Sequence, residues 1–390
     1  MPWREVSVME QRREFAFLAM QEGAKRRELC RRFGISPDTG YKWLERAEAG
    51  DAELADRSRR PHDSPRRSDA AVEAQVLAVR DAHPAWGARK IAHCLERDGV
   101  TPPAPSTVHQ ILRRNGRIVA PPGDPAPPLG RFEMPAPNQL WQMDFKGRMP
   151  LTCGAASHPL TMIDDHSRYS LCVGACANEQ STTVRQHLTV TFQRYGLPDA
   201  LFVDNGSPWG DTGGSRWTAL RVWLLRLGVD VIYARPYHPQ SRGKNERFHR
   251  TLKAEVFALR SFRDLAELQR ACDAWRMVYN FERPHEALGM DVPASRYTPS
   301  ARSMPDQLPE IEYADGETVR RVSVDPHISF KGRRWRVPKA FRGERLAIRP
   351  KDRDGRYGIF FGSRQVGEID LTGGKSVSDV SEQESAMSPG

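Results

Sequence analysis

The chain has no Cys-x-x-Cys pair and no cysteine–histidine spacing of the zinc type. Its six cysteines (Cys30, Cys94, Cys153, Cys172, Cys176 and Cys272) are scattered. A disulfide framework and a structural zinc site are therefore not expected, and the thiols read as reduced, as in a cytosolic protein. No run of about 18 apolar residues occurs, so no membrane partner is expected. The N-terminus, MPWREVSVMEQRREF, lacks the apolar core of a signal peptide. Lysine is also scarce, at 10 of the 59 basic residues. Arginine forks suit phosphate better than lysine point charges do.

What is present is positive charge. The 390 residues carry a formal net charge of +10 with a pI near 9.5. That balance points to nucleic acid or another anionic surface as partner. The length allows two to four domains on the usual size prior of roughly 100–200 residues each.

Residues 1–55 read as a helix-turn-helix unit. RREFAFLAMQEG is one helix, KRRELCRRFG a second closed by Gly34, and PDTGYKWLERAE a third. Ser36 stands at its N-cap and Pro37 at its first turn. Arg26, Arg27, Arg31, Arg32, Lys42 and Arg46 make it a DNA-binding candidate; a plain helical hairpin is the alternative. A Pro- and Arg-rich linker, 56–68, precedes a second such unit at 69–119. There GARKIAHCLERDG and APSTVHQILRRNG are helices, the latter with Ser106 as its expected N-cap. A Pro-rich linker covers 120–134.

From 135 to 300 strands and helices alternate, which predicts a mixed α/β layer. After a linker at 301–315, short alternating strands at 316–372 predict a small, basic, five-stranded barrel. The tail 373–390 has the composition of a disordered segment.

Three acids stand out by position. Asp144 lies in the strand WQMDF, Asp204 ends the strand LFVD, and Glu246 lies early on a helix in GKNERFH. Carboxylates are the donors a hard Mg²⁺ ion takes, and strand-end acids can meet outside a sheet edge. Each has a plainer reading. Asp144 suits a sheet edge, Asp-Asn-Gly at 204–206 suits a hairpin turn, and Glu246 suits an ion pair with Arg250. Asp164 and Asp165 compete for a metal role but read as turn or strand-edge groups. On a helical wheel Phe248, Leu252, Val256 and Leu259 share one face, while Glu246, His249, Arg250 and Lys253 share the other. Solvent accounts for that charged face; so does a metal beside a phosphate backbone.

WQMDF, LFVDNGSPW and HPQSRGKNERFHRTLK resemble the catalytic core of the DDE transposases of bacterial insertion sequences, in the retroviral-integrase superfamily with an RNase H-like fold. YNFERPHEALGMDVPASRY resembles the segment after that core. The resemblance implies Asp144, Asp204 and Glu246 as catalytic metal ligands and two Mg²⁺ or Mn²⁺ ions. It implies cleavage at element ends and joining of the freed 3′-OH to target DNA. DNA contacts are expected from Arg26, Arg27, Lys42, His238, Arg242, Lys244, Arg247, Arg250 and Lys253. A homo-oligomer acting on DNA in the bacterial cytoplasm, at the nucleoid, is implied, with no small-molecule substrate. One departure is the spacing of 246 − 204 = 42 between the second and third acids, longer than is common in the superfamily. The residues leave two further readings open: a non-catalytic DNA-binding protein, and a plain nuclease.

Overall fold

The computed structural model describes residues 7–57, 68–118, 133–210, 217–234 and 243–372. The chain divides into two compact units, Met1–Arg67 and Ser68–Gly390.

The first unit holds α1 (Val8–Ala19), α2 (Arg26–Arg32) and α3 (Pro37–Glu48). Ser36 accepts from the Thr39 amide, so α3 starts at Pro37 as its capping signal predicts. Gly34 takes φ +65°, the left-handed region that a helix C-terminus needs. Leu29 on α2 enters the core with Phe15, Ala19, Cys30 and Leu44, and Phe33, four residues on at the end of the helix, packs against it. Gly40 lets α3 approach closely: a Cβ there would stand 2.4 Å from Cys30 Sγ and 2.9 Å from Phe15 Cζ.

The second unit begins with α4 (Ala70–Ala82), α5 (Ala88–Arg97) and α6 (Pro105–Arg114) around Val76, Ile91, Val108 and Ile111. Ser106 is not the N-cap of α6. Ala104 takes that place without a side-chain bond, because Pro105 already has the fixed φ of a first helical residue.

A mixed sheet follows. Its strands are β1 (Leu140–Phe145), β2 (Met149–Pro150), β3 (Ala156–Asp164), β4 (Ser170–Cys176), β5 (Ala200–Val203) and β6 (Asp230–Tyr233). The order is β2-β3-β1-β5-β6, with β4 also on β3. β1 is antiparallel to β3 and parallel to β5, and β5 is parallel to β6. Alternation in β1 sends Trp141 and Met143 into a core with α7 (Ser181–Tyr195) and α8 (Ala219–Arg226). The opposite face carries α9 (Gly243–Leu252) and α10 (Leu265–Phe281), whose Phe248, Leu252, Cys272 and Trp275 pack on Ile163 and Val173.

The C-terminal region is not a closed barrel. Strands β7 (Thr318–Arg321), β10 (Arg345–Pro350), β11 (Arg356–Phe361) and β12 (Arg364–Asp370) form an antiparallel sheet in the order β12-β11-β10-β7. A separate hairpin pairs β8 (His327–Phe330) with β9 (Arg333–Arg336). Pro326 and Pro338 lie at the open end of that hairpin and carry no N–H, so the ladder stops there after the bond from the Val337 amide to the Pro326 carbonyl. Hairpin and sheet share one core through Ile328, Trp335, Phe341, Ile348 and Ile359. Trp217 and Val222 beside and on α8 join that core, so the sheet is seated on the central layer. Residues 373–390, expected to be a disordered tail, lie outside the described residues.

Candidate active site

Asp144 lies on β1, and Asp204 directly follows its parallel neighbour β5. The β1–β5 ladder runs from Leu140↔Ala200 to Gln142↔Phe202. Its offset also separates the two acids, since 200 − 140 and 204 − 144 are both 60. Side chains alternate along a strand, so Asp144 on β1 shares a face with Leu140, while Asp204 directly follows Val203, the last residue of β5. Leu140, Ala200 and Phe202 cluster together on that face. The hairpin reading of Asp-Asn-Gly fails, because β5 and β6 are parallel. Asp204 Oδ1 instead accepts from the Gly206 amide at 3.0 Å, and Asn205 Nδ2 donates to the Ala234 carbonyl at 2.7 Å. The edge reading of Asp144 also fails, since β1 is flanked by β3 and β5.

Two polar ties seat α9 above these acids. His249 Nε2 meets Thr161 Oγ1 at 2.8 Å, and Thr161 Oγ1 donates to the Asp144 carbonyl at 2.9 Å. The hydroxyl has one proton, so Nε2 carries the imidazole hydrogen and Nδ1 faces Asp144 Oδ2, 4.0 Å away. Burial, with Lys146 nearby, holds the His249 pKa down at about 4, which keeps the ring neutral. The second tie is at the start of the helix. Lys244 Nζ donates to Asp165 Oδ1 at 2.6 Å, and Gln142 Nε2 on β1 donates to the same oxygen at 2.7 Å.

Glu246 is exposed, three residues before His249 and therefore on the same side of the helix. No ion pair joins it to Arg250 among the described residues. Yet the three acids are not gathered at one point: among the described residues no group of three His, Cys, Asp or Glu side chains stands close enough to hold a metal ion.

Several expected positions are re-assigned. His249 is buried, not on an open face, and Leu259 is 55% exposed. A π-helical turn at Lys253–Phe257 interrupts the helix and rotates the apolar stripe out of phase. Lys244 is turned inward to Asp165 and is largely buried, with its pKa lowered to about 8 by burial. Arg247 and Arg250 are exposed on α9, and Lys253 is exposed at the start of the π-helical turn that follows it. Arg27 and Lys42 are exposed on α2 and α3, and Arg26 pairs with Glu48 at 3.8 Å. His238 and Arg242 lie outside the described residues. Asp164 ends β3 and Asp165 opens the turn after it, as the turn reading has it, but both are fully buried rather than at an exposed edge. Asp164 accepts from the amides of Asn138 and Ser167 and from the Ser167 hydroxyl. Sequence pattern missed Thr161 and His249 as partners, because nothing local marks a contact across 88 positions.

Family profiles cover most of these elements. "Integrase core domain" matches residues 134–239 and again 227–293. "IS481 family transposase, C-terminal domain" matches 317–376. "Helix-turn-helix domain" matches 11–62 and "Homeodomain-like domain" 39–112. A protein of insertion element IS407 from Burkholderia multivorans is 26% identical over 41% of this chain and 55% of its own length. A protein of insertion element IS476 from Xanthomonas euvesicatoria is 24% identical over 57% of this chain and 64% of its own. The chain thus spans about half to two thirds of these curated relatives. A chain of the simian T-cell lymphotropic virus intasome is 15% identical, over 74% of this chain and 97% of that one, with a TM-score of 0.37. The HTLV-2 integrase catalytic core domain is 14% identical, over 42% of this chain and 97% of that one, with a TM-score of 0.32.

Mixed sheet, flanking helices and matched profiles define an integrase core domain preceded in sequence by helix-turn-helix domains. The chain belongs to the insertion-sequence transposases of the integrase superfamily.

Proposed function

We propose that the chain binds the ends of its mobile element, cleaves phosphodiester bonds there and joins the freed 3′-OH ends to target DNA. The observation that carries this reading is the parallel pairing of β1, which bears Asp144, with β5, which Asp204 directly follows, and the tie of α9 by His249 beside Asp144. The donor set fits a hard divalent cation, Mg²⁺ or Mn²⁺, because all three side chains offer carboxylate oxygens. Like charges repel at contact, so a cation is what would draw the three acids onto one point. Bound there by Asp144, Asp204 and Glu246, two ions would activate the attacking oxygen and stabilise the leaving one.

The protein's own groups supply placement. Thr161, His249, Lys244 and Asp165 hold α9 against β1 and β3, which keeps Glu246 on the acidic side of the sheet. Arg247, Arg250 and Lys253 are placed to meet backbone phosphates beside the reacting bond. Water attack at the end phosphate breaks one P–O bond and frees a 3′-OH. That hydroxyl then attacks a target phosphate and displaces its 3′ oxygen, so bonds are exchanged and no external energy source is consumed.

The two N-terminal helical units are assigned to end recognition, and the basic C-terminal sheet to flanking or target DNA. Cutting two ends together calls for a homo-oligomer, acting at the nucleoid. The test is joining of a labelled duplex, cut from DNA flanking the coding region, to a plasmid in Mg²⁺ or Mn²⁺. Joined product supports the proposal. Cutting without joining would leave a plain nuclease, and binding without either would leave a non-catalytic DNA-binding protein.

A further inference from the structure

One helix touches both the second helical unit and the helix of Glu246. Val278 of α10 packs into the α4–α6 core beside Val76, Ile91 and Val108. Arg97, at the end of α5, donates to the Glu282 carbonyl at 3.2 Å, just past α10. The unsatisfied carbonyls and dipole of a helix C-terminus favour a cation there. Lys90 on α5 pairs with Glu286 at 3.6 Å and is only 14% exposed. Along the same helix, Trp275 and Tyr279 set their rings 5.5 and 5.1 Å from Phe248 on α9. Phe248 is two residues from Glu246.

This docking leaves the far side of α6 open. Val108, Ile111 and Leu112 face inward, while Ser106, His109, Gln110 and Arg113 are exposed along one stripe. Arg114 is already bound to Glu73, and Arg117 pairs with Asp81 at 2.9 Å. The four outer side chains make no side-chain hydrogen bond or ion pair among the described residues. Arginine reads guanine and glutamine reads adenine in the major groove.

We infer that α10 clamps the second helical unit to the catalytic layer, and that Ser106, His109, Gln110 and Arg113 read bases at a fixed offset from the cut. The inference rests on the proposed cleavage of element ends. Lys90 and Glu286 are positioning residues in it. The offset is then set by protein packing, not by a linker.

Three measurements on the full chain test it. The first is competition binding without metal, using the flanking-DNA duplex against random duplex. Gln110→Ala and Arg113→Ala should each lower the preference by about 5- to 100-fold, with random-duplex affinity little changed. Unchanged preference in both variants overturns the base reading. The second inserts one base pair between the protected bases and the cut. The cut should keep its distance from the protected bases; a cut that stays at the original terminal nucleotide overturns the clamp. The third tethers an iron chelate to Cys153, which is exposed while the other five cysteines are buried. It marks the core on bound DNA without using the chain's own chemistry, so it decides the clamp even where no end is cleaved. Wild type should give one cluster of breaks, Lys90→Glu a spread pattern, and Lys90→Glu with Glu286→Lys one cluster again. A single cluster in Lys90→Glu overturns the clamp.

Discussion

His249 on α9 and Thr161 on β3 share a 2.8 Å hydrogen bond, and the same hydroxyl donates to the main-chain carbonyl of Asp144. One buried hydroxyl thereby joins the helix of one candidate ligand to the strand of another. Thr161→Val keeps the shape and leaves the imidazole N–H unpaired, a cost of about 1–3 kcal/mol. Cleavage turnover should fall while affinity for the end duplex holds. The check is single-turnover cleavage beside a binding titration, and Thr161→Ser should recover most of the loss. An equal fall in binding and turnover would mean that Thr161 serves the fold alone.

Replacing Asp144 or Asp204 by Asn, or Glu246 by Gln, removes one charge at nearly constant shape. Each change should reduce end cleavage and joining to background. Double variants should be no worse than singles, because groups that act as a unit do not add. Asp164→Asn is the control. It lies in a buried hydrogen-bond set, so it should lower the unfolding midpoint more than it slows cleavage. Near-normal cleavage by Glu246→Gln in Mg²⁺ would return Glu246 to an ordinary surface acid.

Lys244 and Arg250 should separate in their response to salt. Lys244 is held by Asp165, which is fully buried. Lys244→Met strands that acid, and losing one partner of a buried pair costs about 3–5 kcal/mol. Urea unfolding should shift strongly, and the slope of DNA affinity against salt should stay as it was in the protein that remains folded. Arg250→Ala should do the reverse, leaving stability alone and lowering the salt slope by about one phosphate contact. A reduced slope in Lys244→Met would place its ammonium on DNA after all.

His285 gives the chain an acid-sensitive joint. It sits past α10 among Arg283, Lys90 and nearby charges, and burial holds its pKa far below 6.5. The folded state keeps it neutral while the unfolded chain protonates it below about 6.5. The unfolded state then binds more protons, so stability is full above that pH and falls as pH drops below it. This one group sets a limiting slope of about 1.4 kcal/mol per pH unit. Thermal midpoints read from about pH 7 to about pH 5 should decline. His285→Gln should decline less steeply; an equal decline would assign the effect to other groups.

Much of this architecture is written in short-range pattern. Ser36 with Pro37 marks the start of α3 and Gly34 the end of α2, because capping and left-handed turns involve only neighbouring residues. The strands carrying Asp144 and Asp204, and the helix carrying Glu246, are legible for the same reason. What local pattern does not contain is the pairing of distant segments. Only the parallel pairing of β1 with β5 brings the strand of Asp144 alongside the strand that Asp204 follows. A slip of one residue would turn every side chain of β1 to the other face. The inward turn of Lys244 depends on a buried acid 79 positions away. The burial of His249 depends on Thr161, and the π-helical turn at Lys253–Phe257 breaks a wheel drawn at constant pitch. The open C-terminal sheet follows from which backbone edges meet, not from strand propensity. Propensity acts over one helical turn or one hairpin, whereas burial and register are settled by whichever remote surfaces share a core.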